Sequence, residues 1–206
     1  MIVIIDYGIG NLGSVVKAFK YLNIPVTLSA DVDKIKNAAG VVLPGVGAFG
    51  EGMDNLRKNN LIGVIHDIID RGVPFLGICL GLQLLFTSSE EAETEGLGLI
   101  KGNVKKFTVE KVGKIPHMGW NQVELNSDDP LFANFNKTRN FYFVHSYYVD
   151  PDEEQVILGK TQYGDQEFVS VIRKDNVWGF QCHPEKSSNV GLRVLKNYSR
   201  VVKKWK

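Results

Sequence analysis

With 206 residues, the chain is long enough to bury a continuous hydrophobic core, and we expect a single domain that spans residues 1–206. Hydrophobic residues make up 44% of the chain, charged residues 23%, and the formal net charge is only +1, so neither nucleic acid nor a membrane surface is expected as a partner. No apolar run reaches the roughly 18 residues that cross a membrane, and the first strand pattern begins without a basic leader, which predicts a cytoplasmic protein.

Strand and helix patterns alternate over about the first ninety residues. Runs of β-branched and apolar residues predict strands at residues 2–6, 25–29, 40–43 and 73–78. Between them, apolar side chains recur on one helical face in residues 12–22 and again in residues 61–69, so that each helix can cover a sheet. This alternation is typical of βαβ units and predicts an α/β fold with a mainly parallel central sheet flanked by helices.

The first strand-to-helix junction carries three glycines in the stretch "VIIDYGIGNLGSV". Their spacing fits the G-x-G-x-x-G fingerprint of dinucleotide-binding proteins, and Asp31 or Asp33 follows roughly where a ribose-binding acid is expected. A dinucleotide-dependent oxidoreductase is therefore one hypothesis. The three glycines are Gly8, Gly10 and Gly13.

The pattern changes after the acidic stretch at residues 87–96, which we interpret as a solvated loop or a frayed helix end. Short runs rich in β-branched and aromatic residues follow and predict added antiparallel strands at residues 121–125, 141–149, 155–163, 167–174 and 177–182. A final amphipathic helix closes the chain. Its apolar side carries Val190, Val194, Leu195, Tyr198, Val201 and Val202.

The run "VPFLGICLGLQLLF" at residues 73–86 passes from a buried-strand pattern into a helical one through Gly77, Cys79 and Gly81. It resembles a nucleophile elbow, in which small neighbours let the backbone pass close to a nucleophile on a strained turn. A thiol at a helix N-terminus also meets free N–H groups, which favour a thiolate and can stabilise an oxyanion. The alternative is that Cys79 is a small buried hydrophobic residue beside tight-turn glycines.

The chain has two cysteines, far apart in sequence. Without secretory features we expect free thiols, and because two thiols make a poor metal site we expect neither a metal nor a cofactor. Cys182 directly precedes a histidine on a predicted strand, so its side chain is expected to face away from that histidine and to pack as a small apolar group.

A thiol nucleophile needs a base, and four histidines are available. His66 lies on a predicted surface helix, whereas His117 and His145 lie among aromatic residues, where core packing or a binding surface is plausible. His183 ends a strand and precedes a proline, so it is expected to be extended, and Glu185, two residues on, is expected to face the same way. Glu185 can then orient His183 and stabilise its imidazolium, which predicts a Cys–His–Glu triad.

The segments "GICLGLQLL" around Cys79 and "HPEKS" at residues 183–187 resemble the nucleophile and His–Glu motifs of triad, or class I, glutamine amidotransferases. Four further segments, in order along nearly the whole chain, are similar to the glutaminase subunits of imidazole glycerol phosphate synthases. They are "DYGIGNLGSV" near the start, "LPGVGAFGEGM" at 43–53, "IPHMGWNQV" at 115–123 and "YFVHSYY" at 142–148. The resemblance implies the class I glutamine amidotransferase fold.

The resemblance also implies hydrolysis of L-glutamine to glutamate and ammonia. Cys79 attacks the side-chain amide carbon, His183 accepts the thiol proton and delivers one to ammonia, and Glu185 orients His183. The oxyanion is held by the backbone N–H of Leu80 and by one in the "PGVG" loop, for which Val46 is the candidate.

By the same resemblance, four residues hold the glutamine, although each of them also has a purely structural interpretation. They are Gly47, Gln83, Ser146 and Tyr147.

The family's partner is a (β/α)8-barrel synthase, which forms a heterodimer with the glutaminase and uses the ammonia to make imidazole glycerol phosphate and aminoimidazole-carboxamide ribotide in histidine biosynthesis. Residues that match positions near that interface are Asn11, Trp120, Tyr142 and Lys186. Two alternatives stay open within the family: a paralogue that supplies ammonia to another synthase, such as one that amidates a sugar, and a binding subunit with a vestigial triad.

Overall fold

The computed structural model describes residues 1–125, 128–135 and 138–205. Twelve strands in the described residues join in one sheet. In chain order they are β1 Ile2–Ile5, β2 Val26–Ser29, β3 Gly40–Gly45, β4 Phe75–Cys79, β5 Phe86–Ser89, β6 Ile100–Lys106, β7 His117–Leu125, β8 Thr138–His145, β9 Tyr147–Pro151, β10 Ile157–Tyr163, β11 Gln166–Lys174 and β12 Val177–Phe180.

Helices connect and cover these strands. They are α1 Leu12–Tyr21, α2 Val32–Lys36, α3 Phe49–Lys58, α4 Ile62–Asp70, α5 Leu80–Gln83, α6 Val109–Val112 and α7 Ser188–Lys204. Short 3₁₀ turns lie at Pro130–Phe132, Glu154–Val156 and Pro184–Lys186. Among the helices of the described residues, none is both long and apolar enough to cross a membrane.

The parallel part of the sheet has the strand order β2-β1-β3-β4-β12 and confirms the predicted α/β class. Four of its strands are the four predicted in the first ninety residues. The fifth, β12, lies within the strand predicted at 177–182 as an antiparallel addition. It is antiparallel to β11 as predicted, but it also runs parallel to β4, where Phe180 pairs with Ile78. On the other side of β4, Gly45 of β3 pairs with Cys79. Because parallel strands end at one edge, the residues after β3, β4 and β12 meet there.

The antiparallel part continues from β12 through β11, β10, β7 and β8. The predicted strand at 141–149 is wrong as one element, because Ser146 separates β8, which pairs with β7, from β9, which pairs with β6 and β11. A strand can follow only one set of partners, and the chain changes partners at Ser146. This break leaves a bend at Ser146 between the end of β8 and the start of β9.

The loop predicted at residues 87–96 is also partly wrong. Residues 86–89 form β5, which runs parallel to β6 and buries Phe86 and Ser89. The acidic side chains satisfy backbone N–H groups, as Glu90 accepts from Lys106 N at 2.7 Å and Glu91 from Phe49 N at 2.8 Å. Charge alone therefore misled the prediction, because these carboxylates cap other elements.

The two faces of the sheet have separate hydrophobic cores, as in a doubly wound fold. On one face, α1 and α7 pack with the side chains of Phe19, Val194 and Leu195 buried. On the other face, α2, α3 and α4 bury residues such as Leu56 and Ile65. The sheet is thus covered on both sides, and substrates can reach it only at its edges.

Asp129, just before the turn at Pro130–Phe132, joins three elements through one buried carboxylate. It accepts from Leu131 N at 2.8 Å, from the indole N–H of Trp178 at 3.2 Å and from Arg173 Nη1 at 2.9 Å. The side chain of Asp129 is 1% exposed, whereas that of Arg173 is 37% exposed. The hydrogen bonds from Leu131 and Trp178 therefore account for most of the contribution of Asp129 to folding stability, because solvent screens the partly exposed ion pair.

We expect the substitution Asp129→Ala to lower the free energy of unfolding by about 2 to 3 kcal/mol, because it leaves the buried donors of Leu131 and Trp178 without an acceptor. Urea denaturation followed by circular dichroism measures the change. Asp128→Ala, at the exposed neighbouring position, is the matched control and should change the value by less than about 0.5 kcal/mol. Equal effects of the two substitutions would contradict this role of Asp129.

Candidate active site

A cavity of about 420 Å³ opens at the carboxyl edge of the parallel strands. The loops after β3 and β4 form one wall, and the bend between β8 and β9 forms the other. The cavity contains Cys79 and all of the predicted glutamine-binding and oxyanion residues. Its lining residues are Val46, Gly47, Cys79, Leu80, Gln83, Glu91, Pro116, Val144, His145, Ser146 and Tyr147.

Cys79 lies on a strained turn between β4 and α5, as the elbow motif predicts. Its backbone has φ 55° and ψ −109°, a region that side-chain-bearing residues rarely adopt and that costs of order 1 to 3 kcal/mol. Two glycines make the turn possible: a Cβ on Gly81 would collide with the carbonyl oxygen of Leu43, and one on Gly77 would lie 2.7 Å from the carbonyl oxygen of Gly81. The turn presents the thiol to the cavity.

His183 and Glu185 form a close, buried pair. His183 Nδ1 lies 2.7 Å from Glu185 Oε1, and both side chains are 2% exposed. His183 is extended, as predicted, with φ −105° and ψ 93°. The strand alternation expected for Glu185 is wrong, because a 3₁₀ turn at Pro184–Lys186 brings Glu185 round to the ring. Ser187 fixes this turn by donating its hydroxyl to the carbonyl of His183 at 2.6 Å.

The surroundings of His183 favour its charged form. Burial lowers the pKa of His183, but hydrogen bonding and charge interactions with Cys79 and Glu185 outweigh it and raise the pKa to about 10. Because Nδ1 is taken by Glu185, Nε2 is the atom left for Cys79, and it has no hydrogen-bond partner among the described residues. A protonated imidazole beside the sulfur is the partner that a thiolate needs.

The two predicted oxyanion residues follow the paired ends of β3 and β4. Leu80 is the first residue of α5, directly after Cys79, and Val46 follows Gly45, which pairs with Cys79. Both line the cavity. Gly47 comes next with φ 103°, a conformation that favours glycine and so explains the residue type at this turn.

Gln83 belongs to a buried network that links three elements. Its Nε2 donates to the carbonyl oxygen of Tyr147 and to Gln181 Oε1, both at 3.1 Å, so that its own side-chain oxygen is left for other partners. Gln181 Nε2 in turn lies 3.8 Å from Cys79 Sγ. Gln181 is not among the predicted site residues, although it lies only two residues before His183 in the sequence.

Glu91 was missed for a different reason, since it lies within the stretch interpreted as a solvated loop. It is half-buried, caps α3 at Phe49 N and lines the cavity. It is the one carboxylate among the lining residues and can attract an ammonium group.

Two buried histidines, His145 at the cavity wall and His117 behind it, extend the network. His145 Nδ1 lies 2.7 Å from the carbonyl oxygen of Tyr147 and must donate to it, so His145 Nε2 accepts from His117 Nδ1 at 3.0 Å. Asn121 Nδ2 then lies 3.2 Å from His117 Nε2. Burial lowers the pKa of His145 to about 3 and that of His117 to about 4, so both rings are neutral at physiological pH. These rings orient neighbours rather than carry charge.

Three of the predicted interface residues form one patch. Trp120 of β7 pairs with Tyr142 of β8, their ring centroids are 6.2 Å apart, and Lys186 Nζ lies 6.0 Å from the Tyr142 ring centroid. Trp120 is 57% exposed, so the patch presents a large apolar side chain to solvent. The fourth residue, Asn11, lies beside His183 and Glu185 in a small neighbouring cavity.

The glycine-rich turn and the two aspartates that follow it have local structural roles. Gly8 and Gly10 have φ 92° and 125°, as a tight turn requires, but Gly13 is already inside α1. Asp31 instead caps α2 by accepting from Lys34 N at 2.8 Å, and Asp33 is exposed on that helix. Backbone geometry therefore accounts for Gly8 and Gly10 without a bound ligand.

Both cysteines are free, buried thiols. Cys182 packs in the core on the α1 and α7 face, which fits its predicted role as a small apolar group. In the part of the chain that the structure describes, no group of three or more histidine, cysteine, aspartate and glutamate side chains is placed to hold a metal ion.

Comparisons with known proteins agree with this geometry. The glutamine amidotransferase class-I family matches residues 3–200. An imidazole glycerol phosphate synthase subunit HisH from Moorella thermoacetica is 51% identical over 203 residues, which cover 98% of this chain and 95% of that protein. The protein of the same name from Methanocaldococcus jannaschii is 50% identical over 199 residues, 96% of this chain and 98% of that protein.

Solved structures share the fold at much lower identity. PurLQS from Thermotoga maritima has a TM-score of 0.78 at 19% identity, and the likeness covers 97% of each chain. A glutamine amidotransferase, also from Thermotoga maritima, has a TM-score of 0.66 at 20% identity, covering 98% of this chain and 84% of that one.

Fold, elbow cysteine and family match together define an enzyme of the class I glutamine amidotransferase family. The family membership replaces the oxidoreductase hypothesis raised by the glycine spacing. With identity near one half over almost the whole chain, the protein belongs, within that class, to the HisH subunits of imidazole glycerol phosphate synthase.

We expect Glu185→Gln to lower the pKa of His183 from about 10 by about one to three units, because a neutral amide replaces the buried carboxylate. A raised pKa means that the pair's stabilisation is complete below pH 6.5, the ordinary value, and is lost as the pH rises through about 10. Two-dimensional ¹⁵N NMR of the imidazole rings measures the titration in the wild type and in the variant. An unchanged midpoint would exclude Glu185 as the cause.

Proposed function

We propose that this protein hydrolyses L-glutamine to glutamate and ammonia with Cys79 as nucleophile, His183 as acid and base, and Glu185 as the residue that orients His183. The observation that carries the proposal is the arrangement around Cys79: its strained turn opens on the cavity, and the buried His183–Glu185 pair, which follows the strand beside β4, interacts with it. A thiol nucleophile requires both a proton acceptor and a group that orients it.

In the first step, the Cys79 sulfur forms a bond to the side-chain amide carbon of glutamine, and His183 holds the proton that the thiol gave up. Collapse of the tetrahedral intermediate breaks the carbon–nitrogen bond, and His183 delivers the proton to the departing nitrogen, which leaves as ammonia. The product is a thioester between Cys79 and the glutamyl group.

In the second step, His183 takes a proton from water, whose oxygen attacks the thioester carbon. The carbon–sulfur bond breaks, glutamate leaves and the proton returns to the Cys79–His183 pair. Charge develops on the carbonyl oxygen in both steps. We assign its stabilisation to the backbone N–H groups of Leu80 and Val46, and the loss of one such donor typically costs about 2.7 to 4 kcal/mol.

The glutamine is held by the other residues of the cavity. Glu91 is suited to the α-ammonium group, since it is the carboxylate of the lining. Gly47 allows close backbone approach, and the bend at Ser146 and Tyr147 closes the opposite wall. Gln83 offers its free side-chain oxygen, because its nitrogen already donates to Tyr147 and Gln181.

The ammonia passes to a partner protein, as the name shared by the relatives supports. We propose a cytoplasmic heterodimer with a (β/α)8-barrel synthase that makes imidazole glycerol phosphate and aminoimidazole-carboxamide ribotide in histidine biosynthesis. The surface for this partner includes the patch of Trp120, Tyr142 and Lys186, with Asn11 beside the His183–Glu185 pair. An exposed tryptophan in such a patch is a typical interface anchor.

We expect Cys79→Ala to reduce the rate of glutamine hydrolysis in the assembled complex at least about 10³-fold, because no other thiol reaches the cavity. A coupled glutamate assay, with and without the barrel partner and its nucleotide substrate, measures the rate. In the wild type, a diazo-ketone analogue of glutamine should label Cys79 covalently.

Cys182→Ala is the matched control and should leave the rate within about threefold, since this thiol packs in the core. Full glutamine-dependent synthase activity of the Cys79→Ala complex would overturn the mechanism and support a vestigial triad.

We expect Trp120→Ala to weaken association with the barrel partner by about 10- to 30-fold, as for a truncated interface anchor. Titration calorimetry measures the affinity. Tyr21→Ala is the control, because Tyr21 is 76% exposed but lies at the far end of α1 from the cavity, and it should bind normally. Equal weakening by both substitutions would argue against the proposed surface.

A further inference from the structure

We infer that Gln181 stabilises the Cys79 thiolate by donating a side-chain N–H to its sulfur, and that Gln83 positions Gln181 for this task. The inference rests on the proposed function, because it takes Cys79 as the nucleophile. It assigns a chemical role to a buried residue that is neither part of the Cys–His–Glu arrangement nor a lining residue of the cavity.

Burial and hydrogen bonds fix Gln181 in place next to the Cys79 turn. Gln181 directly follows β12 and is completely buried, and its backbone N–H donates to the carbonyl of Ser170 at 2.8 Å. Since β12 pairs with β4, this position lies beside the end of the strand that carries Cys79. The side-chain Nε2 is 3.8 Å from Cys79 Sγ, within the range of an N–H donor to sulfur.

The hydrogen-bond network decides which end of the Gln181 amide faces the sulfur. The carbonyl oxygen of Tyr147 can only accept, so Gln83 must direct its Nε2 toward it at 3.1 Å. The same Nε2 lies 3.1 Å from the Gln181 amide, whose facing atom must therefore be the oxygen. The Gln181 nitrogen is left pointing at Cys79, as a donor rather than an acceptor.

The sulfur has few other polar neighbours. Cys79 Sγ lies 4.0 Å from the carbonyl oxygen of Val144, which can accept from a thiol but repels a thiolate. His183, Tyr7 and Cys182 also interact with Cys79. A buried anion needs donors, so the Gln181 N–H adds a neutral donor that selectively favours the charged form of the sulfur.

A purely structural interpretation is that Gln181 only satisfies the amide of Gln83. The two interpretations differ in the pH dependence of sulfur reactivity. A structural role changes folding stability alone, whereas loss of a donor to the thiolate shifts the pH at which the sulfur becomes reactive. The titratable groups that interact with Cys79 are His183, with Glu185 behind it, Tyr7 and Cys182, and they are unchanged in the test.

The experiment measures the rate of Cys79 alkylation by iodoacetamide from pH 5 to 10 by mass spectrometry of the intact chain. Gln181→Met keeps the size of the side chain without its donor, and we expect the pH midpoint to rise by about one unit, a tenfold loss of reactivity below it. Gln181→Glu keeps an acceptor for Gln83 but places a carboxylate at the sulfur, and we expect a rise of about two units.

Gln155→Leu is the matched control, because Gln155 is exposed and bonds only to Glu153 among the described residues. It should leave the midpoint unchanged. Midpoints of both Gln181 variants within about 0.3 units of the wild type would overturn the inference and leave the proposed function intact. Failure of the diazo-ketone analogue to label wild-type Cys79 would instead overturn the proposed function.

A measurement on the wild type covers the case in which the variants do not fold. The side-chain NH₂ resonance of Gln181, assigned in a ¹⁵N-labelled sample, should shift with the same pH midpoint as Cys79 alkylation. The reason is that the chemical shift of an N–H hydrogen that donates to the sulfur changes when the sulfur becomes charged. A resonance that does not move across that midpoint would overturn the inference.

Discussion

The site depends on one constraint: the backbone of Cys79 must turn with φ 55° at the end of β4. That turn exists only because Gly81 can approach the carbonyl of Leu43 with no Cβ in between. The surrounding strands hold the strained residue in place, since β3 and β12 flank β4 on both sides in regular register. The cost of order 1 to 3 kcal/mol is offset by this packing, and it aims the thiol into the cavity.

A second layer of the site consists of polar groups whose partners are shared. The carbonyl of Tyr147 accepts from both Gln83 and His145, so the bend between β8 and β9 sets the orientation of two side chains at once. Gln83 is hydrogen-bonded to Gln181, which in turn contacts the Cys79 sulfur. On the other side, His145 is hydrogen-bonded to His117. In a low-dielectric interior such a network is rigid, because any reversed amide would leave a buried donor or acceptor unsatisfied.

Much of the fold and site was predictable because the signals are local. Periodicity predicted four of the five parallel strands, and the small residues around Cys79 predicted the elbow, since its steric requirements concern residues close together in the chain. The bend at Ser146, strand β5 and the cap made by Glu91 were not predicted. Each depends on a partner distant in the chain, and neither charge nor propensity identifies that partner.

By itself, the sequence determined the α/β class and predicted Cys79 as nucleophile with a histidine base and an orienting acid, because these expectations follow from short-range sterics and from the chemistry of a thiol. Only the tertiary structure decided how they meet. A 3₁₀ turn, and not strand alternation, brings Glu185 to His183, and the pairing of β12 with β4 brings Gln181 to the sulfur. Register between strands about a hundred residues apart is a property of the packed sheet, so no single segment of the chain contains it.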